Sequence, residues 1–316
     1  MHLPQSQWAD LDGRVHWVDY GGPDDGPLLV CVHGLGGSHV NWLAVAPLLT
    51  PTCRVVALDL AGFGYTPGEG RSTSVRANQQ LLHRFLTEVV GTPAILVGNS
   101  MGGLITVLET AAHPRDVSGL VLIDPALPPN VRTRPDPLTA AMFAAYFTPG
   151  VGKAVISKRR RSRTAEELAM DTLRLCCVDP GRVPPDVVEA HIELGRSRRY
   201  YAEMGAEFVL ATRSLLWTLA RRRRYSALMR RILVPVLLLH GEKDRLVAVA
   251  SARAAAKAHP SWRYEEAPDV GHVPQLEVPG WTAGHILDWL DSDAARAASE
   301  SRGSAVRGSR RATHVQ

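Results

Sequence analysis

The 316-residue chain has few cysteines and no long apolar run, and each absence excludes a class of protein. Its four cysteines show no C-x-x-C or metal-type spacing, so we expect reduced structural thiols rather than disulfides or a zinc site. No apolar run approaches the roughly 18 residues of a membrane span. The first ten residues, MHLPQSQWAD, also lack a basic region followed by an apolar one. We therefore expect a cytoplasmic protein.

Basic residues are concentrated in the middle of the chain. The net charge is +5, but residues 131–230 alone carry 19 basic and 10 acidic residues. Two clusters stand out, KRRRSR at 158–163 and RRRR at 221–224. Because no aromatic residues are interleaved and no nucleic-acid motif is present, these clusters do not predict nucleic-acid binding. They would suit peripheral contact with an anionic membrane or an acidic carrier, or a solvated helix face.

Short apolar runs alternate with helical patterns in the first 125 residues, which is typical of an α/β fold with a mostly parallel sheet flanked by helices. The runs predicted as strands are RVHWVDYG, PLLVCVHG, RVVALDLAGFG, PAILVGNS and SGLVLIDPA. The rhythm stops after Asp124 and resumes at VPVLLLHGEKD. We predict one α/β core in two parts, residues 1–125 and 231–291. A helical cap insertion at 126–230 separates them, and a disordered tail follows at 292–316.

Ser100 lies between a predicted strand and a predicted helix, in the stretch LVGNSMGG. Gly98 and Gly102 flank it at the G-x-S-x-G spacing, where a side chain would crowd the neighbouring strand and helix. Such a turn exposes the serine oxygen. It also aims the N–H of Met101, at a helix N-terminus, toward an oxyanion formed at Ser100. The alternative is a serine that only caps the helix.

A serine hydroxyl is a weak nucleophile, so it needs a base and an acid that orients the base. The segment HGEKDRLV places Asp244 directly after a predicted strand, and DVGHVPQLEVP places His272 after the next one. The chain order Ser, Asp, His is the order of the α/β-hydrolase fold. A further segment, HGLGG at 33–37, would supply a second N–H for an oxyanion, from its second or third residue after His33.

Together these motifs resemble the serine-nucleophile branch of the α/β-hydrolase fold superfamily, over residues from about 12 to 290. The resemblance implies the following roles: nucleophile Ser100, general base His272, orienting acid Asp244, and an oxyanion hole from the N–H groups of Met101 and of Leu35 or Gly36. Some members carry the acid after the strand that ends at Asp124, so Asp124 is the alternative acid. In DLAGFGYT, at 59–66, the resemblance implies that Asp59 shapes a loop.

The resemblance implies hydrolysis of a carboxylic ester, or a related lactone or thioester, through an acyl-enzyme and without a metal ion or organic cofactor. Apolar segments at 140–147 and 208–219 are expected to pack the cap and to line a pocket for a small-molecule substrate with a bulky or apolar group. An epoxide hydrolase or dehalogenase is disfavoured, because the nucleophile of those enzymes in this fold is an aspartate.

Two alternatives stay open. The stretch GNSMGG also resembles the nucleophile turn of carbon–carbon hydrolases that act on ring-cleavage diketones, although Val273 stands where those enzymes carry an aromatic residue. Outside catalysis, the chain would be a small-molecule receptor or a lipid-surface binding protein.

Overall fold

A computed structural model describes residues 4–129, 136–148, 150–197 and 204–292. Residues 293–316 of the predicted tail lie outside the described residues. Within the described part, one sheet contains eight strands: β1 (Gln5–Asp10), β2 (Arg14–Gly21), β3 (Leu28–Val32), β4 (Arg54–Leu58), β5 (Ala94–Asn99), β6 (Val117–Ile123), β7 (Val236–Gly241) and β8 (Arg263–Ala267).

The strands are ordered β1-β2-β4-β3-β5-β6-β7-β8 across the sheet. β2 pairs antiparallel with both β1 and β4, and all other pairs are parallel. The predicted mostly parallel sheet is therefore confirmed. β1 was not predicted, because its sequence QSQWAD has no apolar run; it lies at the edge of the sheet and is mostly exposed.

Helices cover both faces of the sheet. The described α-helices are α1 (Ala46–Leu49), α2 (Val75–Arg84), α3 (Met101–Ala112), α4 (Pro137–Phe147), α5 (Val151–Ser162), α6 (Ala165–Cys176), α7 (Pro185–Ser197), α8 (Met204–Ala220), α9 (Arg222–Met229), α10 (Val249–Ala258), α11 (Pro274–Glu277) and α12 (Pro279–Leu290). A π-helical segment, Phe85–Val90, continues α2.

Alternation along the strands builds two cores. On β5, Leu96 packs into the core beneath α2, α3, α9 and α10, whereas Ile95 and Val97 pack into the core beneath α1 and α12. Every residue of β5 is buried, which explains why this strand reads as a continuous apolar run. The carboxyl end of β5 therefore lies at the centre of the sheet, where substrates bind in open α/β folds.

Helices α4 to α9 all lie between β6 and β7, in the segment predicted as an insertion. α8 contacts the core at α2, where the Val75 N–H donates to Ser214 Oγ (3.0 Å). α6 and α7 pack on a separate cluster that includes Val40, Val273 and Leu276. Among the helices of the described residues, none combines the length and apolarity that a bilayer crossing requires.

Candidate active site

Ser100 occupies a strained turn between β5 and α3. Its φ is 55° and its ψ is −118°, a backbone conformation that costs free energy for a residue other than glycine. The flanking glycines are needed for close packing. A Cβ at Gly98 would lie 2.6 Å from the Cα of Gly103, and a Cβ at Gly102 would lie 2.0 Å from the carbonyl oxygen of Val32. The turn leaves the Ser100 side chain half-buried at the carboxyl edge of the sheet.

His272 and Asp244 are joined directly. His272 Nδ1 lies 2.7 Å from Asp244 Oδ2, and both side chains are almost fully buried. Asp244 Oδ1 accepts the backbone N–H groups of Leu246 (2.7 Å) and Val247 (3.0 Å). Burial alone would raise the pKa of Asp244, but the adjacent His272 holds it below its ordinary value. An ionised Asp244 fixes the imidazole so that Nε2 is free to take up a proton.

The histidine loop is anchored next to Ser100. Asn99, the last residue of β5, donates its side-chain amide to the carbonyl oxygens of His272 (3.2 Å) and Ile123 (3.0 Å). The His272 N–H in turn donates to the Cys176 carbonyl at the end of α6 (2.6 Å). Sequence analysis did not single out Asn99, although its place directly before Ser100 is a signal that could have found it.

Asp124 lies in the same cluster as Asp244 and His272. One ligand-type atom from each of the three residues falls within 4.8 Å of the others. Asp124 is fully buried at φ 43°, and its Oδ1 accepts the N–H of Gly241 (3.0 Å). Burial raises the pKa of Asp124, and the neighbouring Asp244 raises it further. The structure thus brings both candidate acids to the histidine, but only Asp244 bonds to its ring.

The predicted oxyanion hole involves the backbone N–H of Met101 and that of Leu35 or Gly36. The turn after β3 is closed by the N–H of Gly37, which donates to the carbonyl of Gly34 (3.1 Å). Within the described residues, no acceptor takes the N–H of Leu35, Gly36 or Met101. Met101 is fully buried and is the first residue of α3, so its N–H is one of the donors that the helix itself leaves unpaired.

Helix α8 covers this turn. A Cβ at Gly36, which has a φ of +76°, would lie 3.1 Å from Cε2 of Phe208. The Phe208 ring packs edge-on against Tyr146 of α4, with a centroid distance of 5.4 Å. The two apolar segments of the insertion therefore meet each other above the turn at residues 33–37, which we call the proposed oxyanion turn.

The insertion is also tied to the histidine loop through Glu277. Its fully buried carboxylate accepts the N–H groups of Val178 (3.0 Å) and Asp179 (2.9 Å) from the insertion and of Gly271 (2.8 Å) beside His272. Glu277 thus fixes the histidine loop, and it has no direct contact with the His272 ring among the hydrogen bonds described.

Asp59 is buried in a structural network. Its carboxylate bonds to Nδ1 of His16 (2.7 Å), to the N–H (2.7 Å) and Nδ1 (2.9 Å) of His39, and to the N–H of Tyr65 (2.8 Å). All these contacts hold the loop after β4 against β2 and the turn at His39. The geometry matches a loop-shaping role.

The comparisons with known proteins agree with this architecture. Residues 27–279 match the model of the alpha/beta hydrolase fold family. The monoacylglycerol lipase ABHD6 of Homo sapiens is 26% identical over 291 residues, which cover 88% of this chain and 81% of the lipase.

Two solved structures are also similar. A bacterial membrane phospholipase A is 26% identical, with a TM-score of 0.68, over 91% of this chain and 86% of that one. A serine hydrolase involved in carbazole degradation is 21% identical, with a TM-score of 0.65, over 91% and 99% of the two chains. Because the family model matches most of this chain, the chain belongs to the α/β-hydrolase fold family.

Proposed function

We propose that this protein is a cofactor-independent serine hydrolase that cleaves a carboxylic ester, or a related lactone or thioester, through an acyl-enzyme. The observation that carries the proposal is the 2.7 Å contact between His272 and Asp244, on a loop anchored beside the strained turn at Ser100. In this scheme Ser100 attacks the substrate carbonyl while His272 accepts its proton.

The oxyanion would then be held by the N–H of Met101 and by that of Leu35 or Gly36. His272 next donates its proton to the leaving alcohol. In the second half of the reaction it activates a water molecule that releases the acyl group from Ser100. Each step uses side chains and backbone groups of this chain alone.

The relatives favour an ester substrate. The names of the human and bacterial proteins above, monoacylglycerol lipase and phospholipase A, describe enzymes that act on lipid esters. Phe208 and Tyr146 add an apolar surface above the oxyanion turn, which would accept an acyl chain. We therefore propose a small-molecule ester with an apolar acyl group as the substrate class.

Hydrolysis of p-nitrophenyl esters from acetate to laurate tests the proposal. We expect the wild-type protein to cleave at least one ester and Ser100→Ala to lose about 10³-fold or more in kcat. Ser118→Ala, on β6 and away from the turn, is the matched control and should keep wild-type activity. If Ser100→Ala kept its activity, the assigned nucleophile would be wrong. If the folded wild-type protein cleaved no ester of the series, the result would favour a narrow carbon–carbon or thioester substrate, or a receptor.

We further propose that α5 brings the enzyme to an anionic lipid surface. Phe147, Val151 and Val155 are 46%, 43% and 40% exposed at the end of α4 and along α5. A groove of about 650 Å³ on the same helix is lined in part by Lys153, Lys158 and Arg161. Exposed apolar side chains beside cationic ones are the combination that binds an anionic membrane interface.

A further inference from the structure

A second cluster of chemically reactive side chains lies at the far end of α3. Glu109 and His113 come from the last turn of α3 and its cap, Asp116 from the turn that follows, and His83 from α2. One ligand-type atom from each of the four lies within 4.8 Å of all the others. Since a helix rises about 1.5 Å per residue, Glu109 and His113 lie about 13 Å and about 20 Å along α3 from the turn at Ser100.

Glu109 is the buried member of the cluster. Its side chain is fully inaccessible to solvent, and its carboxylate contacts Nε2 of Gln79 (2.5 Å) and Nδ1 of His83 (2.9 Å). No lysine or arginine among the described residues forms a salt bridge with it. A buried carboxylate is costly unless a cation compensates it. Burial accordingly raises its pKa, although the hydrogen bonds from Gln79 and His83 counteract the rise.

The two imidazoles are held face to face. The rings of His83 and His113 are stacked with centroids 3.7 Å apart and an interplanar angle of 18°. Neutral imidazole is the form that ligates metal ions. Glu109 and His113 are also four residues apart, which places both on one side of α3.

We propose that His83, Glu109, His113 and Asp116 form a binding site for a zinc ion. Two imidazole nitrogens and two carboxylate oxygens are a donor set that Zn²⁺ accepts in tetrahedral geometry. Ligands about 2.0–2.1 Å from a tetrahedral ion lie about 3.4 Å from one another. His83 Nδ1 already lies 2.9 Å from Glu109 and 3.6 Å from Asp116 Oδ2. Because an imidazole ligates a metal ion in the plane of its ring, one of the two stacked rings would turn out of the stack to complete the site. Gln79 would hold Glu109 in place from outside the ligand shell.

Two other triplets in the described residues also bring such atoms within 4.8 Å, but their donors serve other contacts. One consists of His16, His39 and Asp59. Its carboxylate is already bonded to the ring nitrogens of both histidines and to the N–H groups of His39 and Tyr65. The other is the cluster of His272 with its two aspartates. Only the cluster at the end of α3 combines a buried carboxylate with half-exposed histidines that an ion can reach from solvent.

The ion would link α2 to the end of α3 and so stabilise the helix pair that covers one face of the sheet. Because the site is at the opposite end of α3 from Ser100, its effect is on stability and not on the reaction.

Isothermal titration of the untagged, EDTA-treated full chain with Zn²⁺ tests the site, together with the visible spectrum after Co²⁺ substitution. We expect one equivalent of Zn²⁺ to bind, a tetrahedral Co²⁺ spectrum, and an unfolding midpoint that rises when Zn²⁺ is added. Mg²⁺, which prefers oxygen ligands, should produce no such rise.

Three variants make the test specific. His113→Ala and Glu109→Gln should each weaken Zn²⁺ binding by at least about tenfold and lose the Co²⁺ spectrum. Glu109→Gln keeps the shape of the side chain and so tests the site even if His113→Ala fails to fold. His259→Ala, which removes a histidine stacked on Trp262 elsewhere in the chain, is the matched control and should bind as the wild type does. Unchanged affinity in both site variants, no binding by the wild type, or loss of binding in His272→Ala instead would each overturn the proposal.

Discussion

Two carboxylates sit beside one histidine, and their environments give them different charges. The pKa of Asp244 is held below its ordinary value by His272, whereas burial and the nearby Asp244 raise the pKa of Asp124. Two adjacent buried carboxyl groups cannot both ionise readily, so the proton resides on Asp124. The two pKa directions support Asp244 as the proposed orienting acid, with Asp124 as its neutral neighbour.

We predict that Asp244→Asn lowers kcat by about 10²- to 10⁴-fold, because an amide no longer stabilises the protonated His272. Asp124→Asn should change kcat less than tenfold, since it replaces one neutral group with another. Steady-state kinetics with the best p-nitrophenyl ester, on variants with wild-type circular dichroism, makes the comparison. The reverse order of effects would identify Asp124 as the acid.

Asp59 makes the stability of the protein depend on pH. Burial alone would raise its pKa, but His39 and the hydrogen bonds from His16 and His39 hold the pKa of Asp59 well below its usual range. A carboxylate with a lowered folded-state pKa contributes stability that is complete above the unfolded value of about 3.9 and is lost as the pH falls below it.

We therefore predict that the wild-type free energy of unfolding falls between about pH 5 and pH 3 more steeply than that of Asp59→Asn. At neutral pH the variant should be less stable by about 3 kcal/mol, because its buried partners lose their charged acceptor. Urea unfolding at each pH measures both effects. Parallel pH profiles for the two proteins would show that Asp59 does not carry this dependence.

The turn at Ser100 could be predicted because its residues are local in sequence: an apolar run, G-x-S-x-G spacing and a helical pattern adjoin one another. The choice between Asp244 and Asp124 could not be made in the same way. Both residues end buried strands, and only the three-dimensional hydrogen bond from His272 distinguishes them. Likewise, nothing in the sequence around Gly36 indicates that Phe208, far along the chain, lies against it.

At the scale of secondary-structure elements, α8 is the part of the insertion that lies against the turn at Gly36, whereas the end of α6 contacts the histidine loop. Phe208 projects from α8 onto the oxyanion turn, whereas Trp217 on the same helix is 56% exposed. Substituting each residue in turn therefore distinguishes an effect at the candidate site from a general effect of removing an aromatic side chain from α8.

We predict that Phe208→Ala shifts the preference toward longer acyl chains, because removing the ring enlarges the space above the turn. The ratio of kcat/KM for the laurate ester to kcat/KM for the acetate ester should rise by about tenfold. Trp217→Ala should leave the ratio at the wild-type value. An unchanged ratio in Phe208→Ala, or equal shifts in both variants, would argue against a pocket lined by α8.

The predicted strands β3 to β7 have nearly continuous apolar sequence, which reflects burial on both faces in the parallel part of the sheet. β1 was not predicted, because a mostly exposed edge strand needs no apolar run. Its hydrogen bonds to β2 hold it in the sheet instead. The helical pattern of the insertion was equally readable. Its two contact regions, α8 on the oxyanion turn and α6 on the histidine loop, depend on tertiary packing and have no local signal.

At the scale of the whole molecule, the charge distribution bears on the proposed lipid surface. We predict that the protein floats with vesicles that contain phosphatidylserine and not with pure phosphatidylcholine vesicles, and that added salt weakens the binding. Replacing Lys153, Lys158 and Arg161 together by Glu should abolish flotation. The matched change at Arg222, Arg223 and Arg224 on α9 should reduce it less. Equal binding to neutral vesicles would exclude an electrostatic surface on α5.

The order of the sheet also governs when the protein becomes competent during its synthesis. Leu120 of β6 pairs with Val236 of β7, so this part of the sheet closes only after the whole insertion has emerged. Contacts so distant in sequence form slowly. Ser100 leaves the ribosome early, but Asp244 and His272 arrive on the last segments to join. A growing chain therefore carries its proposed nucleophile before the proposed base, and the proposed triad is complete only once residues 231–272 have joined the sheet.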